Sequence, residues 1–158
     1  MKRSLIALAL AASLLLGGAM AVGRVLGAGD SQLTAAAEGV FPAGTTYAGV
    51  PLQSSTFGLG VLVHGDGAAE GEVEVVLLGT TVLGQPQAIT LQGPASRGEP
   101  AQGGALTISG TGMLDMGLGL PPTSVPFVLA ATPDGLQLTI GTTALPMQTL
   151  KAGGISIQ

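Results

Sequence analysis

Three carboxylates, Asp66, Glu70 and Glu72, lie within seven residues beside the chain's single histidine, His64, the densest grouping of reactive side chains in the sequence. Carboxylate oxygens, together with backbone carbonyls, suit a hard cation such as calcium. Their spacing departs from the EF-hand loop, and the repeated Gly-Gly-x-Gly-x-Asp of calcium-bound β-rolls is missing. Asp66, Glu70 and Glu72 are therefore weak calcium candidates on a solvated loop. His64 beside Asp66 could supply the base and orienting acid of a nucleophilic triad, with Ser55, Ser109 or Ser124 as nucleophile. None of these serines sits in a Gly-x-Ser-x-Gly elbow. One histidine and no cysteine exclude the usual multi-histidine and thiolate zinc sites. Gly65, Gly67 and Gly71 make no phosphate cradle, which needs a helix after the glycines. Asp115 could join Asp66 or Glu70 in acid–base work only if the fold brought them together. The expectation is a non-enzymatic protein without a cofactor.

The elements that must position these residues are extended. Phe57, Leu59, Val61 and Val63 alternate with Thr56, Gly58, Gly60 and Leu62, and Val73, Val75 and Leu77 alternate with Glu72 and Glu74. Shorter alternating runs follow at Ile89 and Leu91; Leu106 and Ile108; Val125, Phe127 and Leu129; Leu136, Leu138 and Ile140; and Ile155 and Ile157. Seven or eight short strands separated by turn signals predict an all-β fold, a single antiparallel β-sandwich or partly closed β-barrel, over residues 54–158. Thr132-Pro133-Asp134-Gly135 predicts a hairpin with Gly135 in the left-handed region. His64 to Gly71 reads as the loop between the first two strands, and Gln92 to Gly104, polar and rich in Gly and Pro, as a surface loop. Pro126 and Pro146 point to edge positions. Residues 22–53 read as a weakly structured N-terminal arm, with at most a helical turn around Gln32 to Glu38.

Residues 1–21 have the form of a secretory signal peptide: Lys2 and Arg3, an apolar run from Leu5 to Leu16, and Ala19-Met20-Ala21 before the cut. The apolar run is too short to span a bilayer, which takes about 18 to 25 residues. The reading is a signal-peptide helix, cleavage after Ala21 and a secreted or periplasmic bacterial protein with no membrane span. A cysteine-dependent lipid anchor is excluded, because the chain has no cysteine. The remaining 137 residues carry three bases (Arg24, Arg97, Lys151) against nine acids, a net charge of −6. Such a balance rules against nucleic acid and against an anionic membrane surface. Without disulfides, packing and backbone ladders alone must hold the domain. Phe41, Tyr47, Phe57 and Phe127 are the only aromatic residues, too few for a sugar-stacking platform or for the girdles of an outer-membrane barrel.

Ser55-Thr56-Phe57-Gly58-Leu59-Gly60-Val61, Gly71-Glu72-Val73 and Thr149-Leu150-Lys151-Ala152-Gly153-Gly154-Ile155-Ser156-Ile157 together resemble the post-COAP-type domain, a small all-β module of secreted bacterial proteins. The resemblance spans about residues 44–158. The sequence departs from it where Val and Leu replace an aromatic residue and an Asp in the second strand, and where Gly153-Gly154-Ile155 replaces Gly-Gly-Asn. It implies an all-β fold and secretion, and no site residue.

The function expected is that of an exported, non-catalytic binding or structural module, acting through loops and strand edges on a protein partner or on itself. The alternative is a carrier of a small apolar ligand inside a barrel, and the third a weak calcium-binding or hydrolytic module.

Overall fold

The computed structural model describes residues 29–158; the signal-peptide helix expected over residues 1–21 lies outside the described residues. Among the described residues no helix is long and apolar enough to cross a membrane. The described residues form one antiparallel sheet of ten strands: β1 (Ser31–Val40), β2 (Thr46–Tyr47), β3 (Val50–Val63), β4 (Ala69–Thr80), β5 (Pro86–Ala101), β6 (Ala105–Asp115), β7 (Thr123–Thr132), β8 (Gly135–Ile140), β9 (Thr143–Ala144) and β10 (Gln148–Ile157). From β3 to β8 each long strand pairs with the next. β1 then pairs with β3 on one side and β10 on the other, so the ladders return to their start. The thinnest link is β8–β10, with only Gln148 opposite Leu136 and Thr149 opposite Gly135.

Period-two alternation explains which face is inside. Val73, Val75 and Leu77 are fully buried, whereas Glu72 and Glu74 between them are exposed. In the same way Phe57, Leu59, Val61 and Val63, then Ile89 and Leu91, Leu106 and Ile108, Phe127 and Leu129, and Leu136, Leu138 and Ile140 enter one contiguous core. Burying each such side chain contributes roughly 1.5–3 kcal/mol, the main favourable term in a domain without cystine crosslinks.

Four local expectations need correction. The arm over 22–53 contains β1, β2 and the start of β3, and the segment Gln32 to Glu38 is strand rather than helical turn. Leu33 and Ala35 point into the core, and β3 and β10 satisfy both backbone edges of β1. Tertiary pairing overrides the weak helical tendency of its alanines. Gln92 to Gly104 belongs mostly to β5, a 16-residue strand between β4 and β6 that absorbs its irregularity in a bulge between Ala95 and Arg97. Pro126 lies in β7, which is flanked on both sides; its carbonyl accepts the Gly141 N–H at 2.8 Å just past the end of β8, so the missing donor falls one step beyond the last pair of the β7–β8 ladder. The Pro133-Asp134 hairpin forms as expected, but Gly135 lacks a positive φ. A Cβ there would lie 2.4 Å from the Gln148 carbonyl oxygen, and this close approach of β10 is what requires glycine.

Candidate functional site

The start of β1, the β3–β4 turn and the end of β5 meet at one end of the ring. Ser31 pairs with Val63, which draws the preceding Asp30 to the β3–β4 loop. There the His64 imidazole stands between two carboxylates, Nδ1 at 3.8 Å from Asp30 Oδ1 and Nε2 at 3.7 Å from Glu70 Oε1. Asp30 Oδ1 also accepts the Gly65 N–H at 3.1 Å. Asp66 Oδ1 accepts the Ala68 N–H at 2.9 Å, an Asx turn that shapes the loop. The Gly98 N–H binds the Gly67 carbonyl at 3.0 Å and ties this loop to β5, leaving a shallow cavity of about 250 Å³ lined by Asp66, Gly67, Ala68, Ser96 and Arg97.

The three calcium candidates are thus drawn apart. Asp66 turns to its own backbone, Glu70 turns to His64, and Glu72 faces outward between Gly60 and Pro94, lining an open groove with Gln92 and Met113. Among the described residues no group of three or more His, Cys, Asp or Glu side chains is placed to hold a metal ion. No hydrogen bond joins His64 to Ser55, Ser109 or Ser124 among the described residues. Ser55 is fully buried nine positions back along β3, roughly 30 Å at the rise of a strand. Ser109 and Ser124 lie on β6 and β7. Asp115, at the opposite end of β6, accepts the Gly117 N–H at 2.8 Å and approaches neither Asp66 nor Glu70.

Two further features escaped the sequence reading. The first is a buried polar pair: the Ser55 hydroxyl donates to Gln148 Oε1, both side chains being fully buried. Gly39 of β1 lies opposite Ser55, and a Cβ there would fall 2.6 Å from Gln148 Oε1, so glycine alone lets the amide cross β1 to its partner. Gln148 Nε2 has no hydrogen-bond partner among the described residues. Nothing in the local sequence around Gln148 announces this pair, since it joins strands 93 residues apart.

The second is the opposite end of the ring. The β4–β5 turn exposes Val82 (93%) and Leu83 (83%), and the β6–β7 loop exposes Leu118 (59%) and Leu120 (67%). The start of β5, just after the first turn, is tied to the second loop, because Gln87 Nε2 donates to the Met116 carbonyl at 2.8 Å. Tyr47, on β2 at this same end, is partly buried, and that burial raises its phenol above the ordinary pKa. The chain matched no protein-family model, no curated protein and no solved structure.

Proposed function

We propose that the chain is an exported, non-catalytic β domain that works in the extracellular or periplasmic space as a binding or structural module, acting through its loops. In this reading the ring of ladders is a partly closed barrel, with its gap where β8 and β10 share only two residue pairs. One observation carries the proposal: Leu33, Val73, Val75, Leu77, Ile89, Leu91, Ile108, Leu129, Leu136 and Leu138, drawn from six strands, are all fully buried, so side chains occupy the interior and recognition falls to the surface. The sense of the alternation supports a water-facing wall. Val73 and Val75 point inward while Glu70, Glu72 and Glu74 point outward, the reverse of a lipid-facing barrel. The resemblance to the post-COAP-type domain belongs to the same proposal and implies secretion.

Expression with the native leader in a bacterial host, followed by fractionation and N-terminal sequencing, tests export. The expected product begins at Val22 outside the cytoplasm; an intact cytoplasmic chain would overturn export. Native mass spectrometry of that product is expected to give the polypeptide mass alone. A retained apolar molecule would favour the carrier reading instead. Calcium titration by calorimetry is expected to show no saturable heat, since Asp66, Glu70 and Glu72 do not converge.

A further inference from the structure

Nine large apolar side chains are exposed among the described residues, and six of them (Val40, Leu78, Val82, Leu83, Leu118 and Leu120) lie on or beside the end of the ring away from His64. A concentration of this kind marks an interaction site. The ionisable groups are distributed the other way. Asp30, His64, Asp66, Glu70, Glu72, Arg97, Glu99 and Asp134 occupy the opposite half, while the runs 80–86 and 116–123 contain no ionisable residue. The acids nearest the apolar end are engaged: Asp115 accepts the Gly117 N–H, and Glu38 pairs with Lys151 Nζ at 2.9 Å.

The β4–β5 tip closes part of its backbone hydrogen bonding within itself. In the β4–β5 turn the Thr81 N–H donates to the Gln85 carbonyl at 2.8 Å, the Gly84 N–H to the Thr81 carbonyl at 2.9 Å, and the Gln85 N–H to Thr81 Oγ1 at 3.1 Å. These three pairs can leave water without being stranded, which lowers the cost of approaching a hydrocarbon boundary.

We propose that this end docks on a zwitterionic lipid surface by inserting Val82 and Leu83 of one loop tip and Leu118 and Leu120 of its neighbour. The inference rests on the reading of the chain as a surface-acting exported module and names the partner class. Charge selects the lipid: nine acids against five bases in the whole chain disfavour an anionic bilayer, so apolar insertion must supply the affinity. Size selects lipid over a protein. A stable protein interface engages about 20–30 residues a side on a complementary surface, whereas two glycine-bearing loops offer only four strongly exposed apolar side chains.

The test is sedimentation with phosphatidylcholine vesicles, using residues 22–158 for wild type and variants alike, so that the apolar leader cannot bind the vesicles itself. Wild type is expected to sediment with the vesicles, less so as phosphatidylserine is added. Leu83→Glu with Leu120→Glu is expected to weaken binding at least tenfold while leaving the urea midpoint unchanged; Val82→Ser with Leu118→Ser serves if the glutamates disturb folding. Equal sedimentation of wild type and both variants would overturn the proposal, as would a wild type that stays in solution. Light scattering that shows a wild-type dimer split by the same variants would also overturn it, in favour of a second copy as the occupant. None of these outcomes depends on whether the leader is cleaved, which the fractionation experiment decides separately.

Discussion

The two ends of the ring are built on the same strands and differ only in what their turns present. At one end the turns are short and tied to their neighbours: His64 to Ala68 is bound to β5 through Gly67 and Gly98, and Pro133-Asp134 spans two residues. That end carries His64, Asp30, Asp66, Glu70 and Asp134. At the other, residues 81–85 and 116–122 carry Val82, Leu83, Leu118 and Leu120 into solvent. The core between them is continuous, so the contrast does not arise from folding. Apolar side chains left mostly in solvent and grouped at one end mark an interaction site, and the tips are where they gather.

The sharpest way to break this contrast is to compare apolar residues of equal size inside and at the tip. Leu129→Ala, at a fully buried position of β7, is expected to cost about 2–5 kcal/mol through lost burial and a residual cavity. Leu83→Ala at the tip is expected to stay within about 0.5 kcal/mol. Urea unfolding of both variants measures the difference. A tip variant as damaging as the core variant would mean that Leu83 packs in solution and that the apolar end is part of the core.

Glycines draw the same contrast at smaller amplitude. Gly71, near the His64 end of β4, has φ +139° and would place a Cβ 1.9 Å from the Gly60 carbonyl oxygen. Gly71→Ala is expected to lose at least the roughly 1–3 kcal/mol of a strained backbone residue, with displacement of β3 in addition. Gly84, in the exposed β4–β5 turn, has φ +76° and open space around it, so Gly84→Ala should cost only about 1–2 kcal/mol. Ser55→Ala, by leaving Gln148 with both amide atoms unpaired in the core, should cost about 1–3 kcal/mol. Combining Ser55→Ala with Gln148→Met is expected to recover most of that loss, because both polar partners then leave together. If the double variant is no better than the single one, the polar pair does not act as a unit.

How far each region could be read in advance follows from the same physics. β4 was legible because Val73, Val75 and Leu77 contrast in polarity with Glu72 and Glu74, and only a two-residue period separates them. β1 was not, because Ala35, Ala36 and Ala37 are alike on both faces; its state is set by β3 and by β10, more than a hundred residues downstream. The long β5 was hidden by glycine and proline that serve bulges and close strand contacts rather than a loop. At the His64 end, Glu70 could be suspected from proximity alone, whereas Asp30 arrives only through the Ser31–Val63 pairing. The apolar tips were written plainly as Val82-Leu83 and Leu118-Gly119-Leu120. An apolar residue in a strand and one at a turn look the same in sequence, and only exposure tells them apart.

The smallest effect comes from Tyr47, a reporter placed at the apolar end. The chain has one tyrosine and no tryptophan, so near-ultraviolet absorbance follows this phenol without interference. Burial disfavours the phenolate and raises the folded-state pKa above that of the unfolded chain, about 10. Above the unfolded value the unfolded state releases its proton first, so stability is full below pH about 10 and falls as pH rises through the folded pKa. Tyr47→Phe should remove this alkaline loss while leaving neutral-pH stability nearly unchanged. Docking adds a second comparison: with phosphatidylcholine vesicles present, the apolar end loses water and the midpoint of the phenol should move further upward, whereas Leu83→Glu with Leu120→Glu should hold it at its vesicle-free position. A midpoint indifferent to vesicles in the wild type would place Tyr47 outside the docked surface and confine insertion to the two tips.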